Sequence, residues 1–214
     1  QWVSHRIPFN DPRVVTALDQ AGNILKNDAY VNGGLGNAKS IATTSFTTAG
    51  LPILDGSCFL HRQASFYQVN WPTDKKIAED GDVFAFRLPG TTETDPPLLM
   101  GGEFAAAFSD REEVRAFQAY LTSPEFSNAK AKVTGPGWIS ANNKLDPSIL
   151  SSPVDRLSYE LITSDNSVLR FDASDQMPGS VGTGSFWVGM TDWVSLEKSS
   201  QDVLTEIENS WPKS

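Results

Sequence analysis

The chain has 214 residues, of which 39% are hydrophobic, and its 26 acidic and 17 basic side chains give a formal net charge of −9. This acidic balance argues against a nucleic-acid-binding surface, since the phosphates would repel it. The longest apolar runs extend over only a few residues, far below the roughly 20 that a membrane helix needs. The length predicts one domain, or one and a fraction, with enough apolar side chains to form a core.

Cys58 is the only cysteine in the sequence, which excludes an internal disulfide and a zinc site of the paired-cysteine type. We therefore expect a free thiol. No spacing rule supports metal binding by His61 with a nearby acid, and we expect no metal site and no cofactor. The chain begins at Gln1 without an initiator methionine, a signal peptide or a lipidation motif. From this we expect that the start of the parent protein is missing.

Helix caps and apolar spacing predict the elements of the first 90 residues. Asp11-Pro12 combines an N-cap with a proline in the first helical position, and Val14, Leu18 and Leu25 follow at helical spacing. The predicted elements are a helix from Pro12 to about Asn27, a short helix over 39–47, a strand over 51–54, a helix over 58–67 and a strand over 82–88.

In the rest of the chain, capping motifs mark the starts of the predicted helices more clearly than in the first 90 residues. Ser109 and Glu112 form the capping box S-x-x-E, and Ser152-Pro153 repeats the combination of a cap with a proline. The predicted elements are a strand over 97–108, a helix after Ser109, a helix from Pro124, a helix from Pro153, a strand over 168–171, a helix from Phe186 and a helix that is capped at Ser199 or Ser200 and ends at Pro212.

The stretch 171–195 has the composition of a ligand site. Phe186 and Trp187 lie on the first turn of the predicted helix, where an aromatic ring can stack on the apolar face of a sugar. Asp172 and Asp175 precede them and can accept hydrogen bonds from hydroxyl groups. The spacing of Phe186 with Met190 and Val194 is also that of a core stripe, which would leave Trp187 and the preceding loop for binding.

Three glycines separate the acids from the aromatic residues. Gly179, Gly182 and Gly184 are predicted to form a loop with uncovered backbone amides, and Thr183 or Ser185 is predicted to cap the helix that follows.

Two further places carry candidate ligand-binding residues. Ser57, His61 and Arg62 come directly after a predicted strand, and ligand sites in α/β proteins favour that position. Arg62 suits a ligand carboxylate or a pair of hydroxyls; the alternative is an ion pair with Asp55 or Asp82.

The second place is Gly101, Gly102 and Glu103, which interrupt the predicted strand over 97–108. Such an interruption indicates a bend where a ligand or another backbone comes close, or a hinge between lobes.

The sequence offers little support for catalysis. Only His5 and His61 could serve a Ser-His-acid set, and no serine lies in a G-x-S-x-G elbow. Asp172 and Asp175 share one segment, whereas the two carboxylates of a glycosidase normally come from separate elements. The residues favour a binding protein, with a carbohydrate-active enzyme fragment or a protein-interaction module as the alternatives.

Five motifs follow one another along the chain: the capped helix at Asp11-Pro12, the run from Phe46 to Ser57, the strand ending in Met100-Gly101-Gly102, the helix pair beginning at Ser109-Asp110, and the helix leading from Met177-Pro178 to Phe186-Trp187. In this order they resemble bacterial extracellular solute-binding proteins. The branch that they resemble most is the maltose- and alpha-glucoside-type sugar-binding components of ABC importers. The resemblance covers essentially the whole chain, which matches the later half or so of a family member.

The resemblance implies a helix-rich α/β fold of the periplasmic-binding-protein type II, in which two lobes close on a sugar. Residues 1–100 would form the first part of the C-terminal lobe. Residues 101–137 would be a crossing strand and helices that return to the N-terminal lobe, and residues 138–214 the second part of the C-terminal lobe.

The same resemblance implies a site and a function. Trp187 matches the aromatic residue that stacks on sugar, Gly101 and Gly102 match backbone at the cleft, and 57–62 matches a ligand-lining loop. The sequence departs from the maltose-binding pattern at Cys58, where relatives can carry tryptophan; a pairing of this thiol with a cysteine in the missing part is the alternative to a free thiol.

The partners implied are a sugar or oligosaccharide and the permease subunits of an ABC importer, and not nucleic acid. The location implied is extracytoplasmic, in the periplasm or as a cell-surface lipoprotein, with contact to the membrane only through an N-terminal anchor absent from this chain.

A missing N-terminal lobe would leave the helix after Ser109 without the sheet that it covers. We therefore expect Val114, Phe117 and Leu121 to be only partly buried.

Overall fold

The computed structural model describes residues 1–31, 35–90, 97–195 and 197–213. Six α-helices and two strands are found in these ranges: Pro12–Leu25 (α1), Pro97–Met100 (β1), Glu112–Leu121 (α2), Pro124–Val133 (α3), Pro153–Thr163 (α4), Val168–Phe171 (β2), Phe186–Val194 (α5) and Ser200–Ser210 (α6). Strands β1 and β2 pair with each other. The described part of the chain is therefore helix-rich, as predicted.

The chain divides into two compact units. Unit 1 comprises Gln1–His61 and Phe171–Ser214, and unit 2 comprises Arg62–Arg170. The lobe boundaries predicted at residues 100 and 137 refer to a longer two-lobed protein, and they stay a prediction.

Local capping chemistry explains where most helices begin. The Asp11 carboxylate accepts a hydrogen bond from the Arg13 N–H at 2.9 Å at the start of α1. The guanidinium of Arg13 also binds this carboxylate and holds the pKa of Asp11 at about 2. Ser123, Ser152 and Ser199 each accept a backbone hydrogen bond of 3.1 Å in the first turn of α3, α4 and α6. The predicted starts of these helices are confirmed.

Two predictions near residue 60 are wrong. Residues 51–54 form no strand, because Pro52 cannot donate to a ladder and instead lies in the 3₁₀ turn Leu51–Ile53. Residues 58–67 form no α-helix. Only the 3₁₀ turn Ser65–Asn70 is helical, and Tyr67 and Gln68 are its only buried residues, so an α-helix here would have no continuous apolar face to bury.

The predicted strands after residue 80 are wrong or too long. Residues 82–88 are irregular apart from a single bridge between Val83 and Ile77, since a strand needs a partner. The strand predicted over 97–108 ends at Met100, since its partner β2 has only four residues, and residues 101–108 are irregular and exposed.

Two helix predictions also need correction. The capping box at Ser109 does not form: α2 begins only at Glu112, and Arg111 is its N-cap residue without a side-chain hydrogen bond. The helix predicted over 39–47 is the shorter 3₁₀ helix Ala38–Ala42.

The core of unit 1 is aromatic and centres on Phe9. Phe9 is fully buried, and the rings of Trp2 and Trp211 lie 5.0 and 5.3 Å from it, centroid to centroid. Glu208 on α6 contacts this segment with one carboxylate oxygen. That oxygen accepts a hydrogen bond from the Phe9 N–H at 2.8 Å and lies 2.9 Å from Nε2 of His5. The carboxylate thus fastens the N-terminal segment to α6.

Helices α5 and α6 touch at a glycine. A Cβ atom on Gly189 would lie 2.7 Å from Cγ2 of Val203 and 3.2 Å from Cδ1 of Ile207, both of which are fully buried. Any side chain here would force the two helices apart.

Unit 2 contains a buried polar network around Asp155. This carboxylate accepts hydrogen bonds from Gln68 Nε2 at 2.7 Å and from the Gly137 N–H at 3.1 Å. Ser152 Oγ donates to Gln68 Oε1. Burial raises the pKa of Asp155, and the bonds from Gly137 and Gln68 partly offset that effect. The network ties the 3₁₀ turn at 65–70 and the Gly137 turn to the first turn of α4.

The apolar face of α2 is poorly covered. Phe117 is 60% exposed, and Val114 and Leu121 are half-buried. The prediction that these three side chains are only partly buried is confirmed. Within the described ranges, no helix is both long and apolar enough to cross a bilayer.

Acid should weaken the attachment of the N-terminal segment to α6. Burial alone would raise the pKa of Glu208, but the hydrogen bonds from Phe9 and His5 outweigh it and leave the pKa below its ordinary value. A depressed carboxylate pKa contributes stability above the unfolded-state value and loses it as the pH falls through the folded-state value. We expect Glu208→Gln to lower the free energy of unfolding by about 1 kcal/mol at neutral pH and to flatten its decrease below about pH 5.

Denaturant titrations across pH measure this effect, with the exposed Glu197→Gln as the matched control. Equal pH profiles for the two variants would contradict the role assigned to Glu208.

Removing the Asp155 carboxylate should destabilise unit 2. Asp155→Ala removes one of the two acceptors of Gln68 Nε2, which keeps its bond to the Ser65 carbonyl, and the acceptor of the half-buried Gly137 N–H. A buried donor left unsatisfied costs about 1–3 kcal/mol. We expect a loss of about 2 kcal/mol or more in urea unfolding, against less than about 0.5 kcal/mol for Asp165→Ala in an exposed turn. A loss no larger than that of the control would contradict the importance of the network.

Candidate functional site

The predicted glycine loop of unit 1 is in fact helical. Residues Ser180–Ser185 form a wide π-helical turn that runs directly into α5. Ser185 has helical backbone angles and caps nothing, and Thr183 Oγ1 donates to the Gly179 carbonyl within the turn. The N–H of Gly182 bonds to the Pro178 carbonyl at 2.9 Å. The predictions of uncovered amides and of a cap at 183 or 185 are therefore wrong.

Phe186 and Trp187 are neighbours with opposite environments. The Phe186 ring packs on the core, 6.2 Å from the ring of Trp2 and 6.3 Å from that of Phe9. Trp187 is 71% exposed. Met190 and Val194 lie on the same side as Phe186, so the predicted core stripe is confirmed and Trp187 is left on the surface.

An apolar cavity of about 480 Å³ lies on the core side of α5. Phe186 and Met190 line it from α5, and Val14 and Leu18 line it from α1. The lining is mostly apolar, with Gln1 and Arg13 as its polar side chains, whereas a sugar needs hydrogen-bonding partners on several sides. The cavity therefore does not suit a sugar, and the outer face of α5 suits it better.

The two candidate acids precede the π-helical turn. Asp172 is half-buried, and its Oδ1 accepts hydrogen bonds from the N–H and the Oγ of Ser174 at 2.9 and 2.6 Å. Asp175 is exposed in the 3₁₀ turn Ser174–Gln176. Asp172 thus has a fixed orientation, whereas Asp175 is open to solvent.

The loop from Ser57 to His61 also belongs to unit 1. The N–H of Ser57 donates to the Asp55 carboxylate at 2.9 Å, and hydrogen bonds from the side chain and backbone of Ser57 lower the pKa of Asp55. The Cys58 thiol is free within the described chain and donates to the Leu60 carbonyl. His61 is half-buried, and burial lowers the pKa of its imidazole.

This loop also carries an exposed aromatic side chain, Phe59, that was not predicted from the sequence. Phe59 is 89% exposed and Leu60 is 68% exposed. The prediction of a helix over 58–67 implied that such residues would face a core. An apolar pair flanked by polar residues outside any amphipathic pattern was the signal that could have identified Phe59 as a candidate contact.

The other candidate residues lie in unit 2. Arg62 is exposed, and the Asp82 carboxylate proposed as its alternative partner accepts a hydrogen bond from the Lys76 N–H instead. Gly101, Gly102 and Glu103 are exposed in the irregular segment after β1. Unit 1 therefore carries the aromatic candidates with Asp172 and Asp175, and unit 2 carries Arg62, Glu103 and a glycine pair on its surface.

Among the described residues, no three His, Cys, Asp or Glu side chains gather in a way that could hold a metal ion.

Comparison with known proteins identifies relatives of the whole chain. No family model matches it, and no solved structure matches it significantly. It is 39% identical over 216 residues to the osmoprotective compounds-binding protein of Synechocystis sp.. It is 33% identical over 220 residues to the alpha-glucosides-binding periplasmic protein of Rhizobium meliloti. These alignments include 100% and 99% of the chain.

Over its whole length, the chain is therefore similar to the C-terminal half of these two binding proteins.

The resemblance drawn from motif order is thereby confirmed. The chain spans about half the length of the curated relatives it matches, 49% of one and 45% of the other. The matched part is the C-terminal half. The comparisons do not test which residues bind a ligand, and the candidate residues stay predictions.

A pair of neighbouring substitutions should separate the packing role of α5 from its surface role. Phe186→Ala removes a ring from the aromatic core and should lower the free energy of unfolding by about 2–3 kcal/mol. Trp187→Ala removes a ring that is 71% exposed and should change it by less than about 0.5 kcal/mol. Urea denaturation of both variants measures this difference. A comparable loss for Trp187→Ala would mean that this ring is structural and not available to a ligand.

Proposed function

We propose that the parent protein of this chain is the substrate-binding component of an ABC importer and that it binds a sugar or oligosaccharide without changing it chemically. The proposal is supported by the two relatives, whose names describe the binding of osmoprotective compounds and of alpha-glucosides. The single observation that carries it is their similarity to the chain over its whole length. The arrangement of the candidate residues agrees with it.

The binding mechanism would use the outer face of α5. The exposed ring of Trp187 would stack on a sugar ring, because the C–H-bearing face of a sugar is apolar and flat. Asp172 and Asp175 would accept hydrogen bonds from its hydroxyls. Stacking would supply affinity, and the carboxylates would select the orientation of the hydroxyls.

The remaining candidate residues would complete the cleft when the whole protein closes on its ligand. Ser57 and His61 would line it from the loop next to Asp55, Arg62 would bind hydroxyls, and the exposed segment 101–103 would approach with its backbone. Closure of two lobes on a solute is a common way to bury a polar ligand.

The fold proposed for the parent protein is the periplasmic-binding-protein type II arrangement. Residues 1–100 and 138–214 would belong to its C-terminal lobe, and residues 101–137 would pack on its N-terminal lobe. The exposure of large apolar side chains in 101–137 supports this assignment, because such a surface normally has a partner. Phe104 is 78% exposed, Phe108 is 99% exposed and Val133 is 85% exposed.

The location and partners follow from the same proposal. The parent protein would act outside the cytoplasm and deliver its ligand to the permease subunits of the importer. The net charge of −9 agrees with a partner other than nucleic acid.

Titration of the parent protein with maltose, sucrose and trehalose, each of which contains an alpha-glucoside, tests the proposal. We expect at least one of them to bind and to raise the melting midpoint, since a ligand at 100 times its Kd stabilises the folded state by about 2.7 kcal/mol. We expect no sugar product by NMR. Trp187→Ala should weaken binding by about tenfold, or about 1.4 kcal/mol.

Tyr30→Ala is the matched control, because Tyr30 is an aromatic residue of unit 1 that is 68% exposed and lies outside the candidate site. Its affinity should equal that of the wild type. The absence of binding by all three sugars, or turnover of any of them, would contradict the proposed function.

A further inference from the structure

Gly182 lies where two backbone segments touch. It is buried in the π-helical turn Ser180–Ser185. A Cβ atom on Gly182 would overlap the carbonyl oxygen of Ser174 and would lie 3.4 Å from the Cβ of Met177. No side chain fits at this position unless the segment that contains Ser174 moves away.

The other glycines of the turn have no such constraint. A Cβ on Gly179 would meet nothing within 4 Å, and the nearest atom to a Cβ on Gly184 is the Gly179 carbonyl oxygen at 4.0 Å. The close contact is therefore specific to Gly182.

The contact joins the acidic and the aromatic parts of the candidate site. On one side, Ser174 holds the Asp172 carboxylate through its N–H and its Oγ. On the other side, the turn that contains Gly182 continues into α5, which presents Trp187 to solvent five residues later. A displacement at Gly182 would change the distance between the carboxylate and the ring.

Core packing holds both segments in place. Met177 and Val181 lie between Ser174 and α5, and they are 7% and 0% exposed. The N–H groups of Val181 and Gly182 both bond to the Pro178 carbonyl, at 2.8 and 2.9 Å. The segment from Asp172 to Trp187 is thus fixed to the core between its two ligand-facing ends.

We infer that Gly182 is a positioning residue for sugar binding: its contact with the Ser174 carbonyl sets the spacing between the Asp172 carboxylate and the Trp187 ring. This inference rests on the proposed function. A sugar must stack on the ring and hydrogen-bond to the carboxylate at the same time. If the distance between the ring and the carboxylate changed by about 1 Å, the sugar could keep only one of the two interactions.

Substitution of the glycines in the parent protein tests the inference. The probe is whichever of maltose, sucrose and trehalose the wild type binds, titrated well below the melting midpoint, with circular dichroism to verify folding. We expect Gly182→Ala to weaken binding at least tenfold, and Gly184→Ala to change the affinity less than twofold. Equal affinities of the folded Gly182→Ala and Gly184→Ala proteins would overturn the inference.

A double-mutant cycle with Trp187→Ala distinguishes positioning from general stability. If Gly182 acts through the ring, Gly182→Ala should cost little further affinity once Trp187 is replaced, because the two effects are not additive. Full additivity of the two losses would show that Gly182 does not act through the ring.

Hydrogen exchange of the wild-type parent protein gives a second measurement that does not depend on the folding of any variant. The amides of Val181 and Gly182 should exchange as slowly as the buried amides of α5. Fast exchange of these two amides alone would contradict a fixed segment. A wild type that binds no sugar would instead contradict the proposed function, so the two failures are distinguishable.

Discussion

The lack of a side chain at Gly189 is the constraint on which unit 1 depends. Because a Cβ there would lie 2.7 Å from Cγ2 of Val203, α5 packs this closely on α6 only with its glycine facing that helix. In this arrangement Phe186 packs against the core and Trp187 is 71% exposed. The core packing of α5 and the exposure of its tryptophan thus belong to the same arrangement of the helix.

The candidate residues differ in how firmly the chain itself holds them. Trp187 and Asp172 are fixed by α5 and by Ser174, whereas Arg62 and the segment 101–103 lie exposed on irregular backbone. Under the proposed function, this difference has a physical meaning. One wall of the binding site is complete within unit 1, and the exposed residues would become ordered by contacts with the ligand and with the rest of the parent protein.

Structural features that depend on contacts within one helical turn could be predicted from the sequence. Features that depend on partners far away in the chain could not. The starts of α1 and α4 follow from Asp11 and Ser152, whose caps need only nearby N–H groups. The strand predicted over 82–88 does not form, because an alternating pattern in the sequence does not supply a partner strand. The spaced glycines suggested a loop, because no local pattern reveals that Gly182 lies against the Ser174 carbonyl, where a side chain would not fit. The core stripe of α5 was predictable, and so was the exposed position of Trp187.

Hydroxyl-radical footprinting of the parent protein, with and without a saturating alpha-glucoside, tests most directly whether the outer face of α5 contacts the ligand. Oxidation of Trp187 should fall severalfold when the sugar is bound, because a stacked ring is shielded from solvent, while oxidation of the exposed Tyr30 should not change. Unchanged oxidation of Trp187 in a protein that has demonstrably bound its sugar would contradict the site.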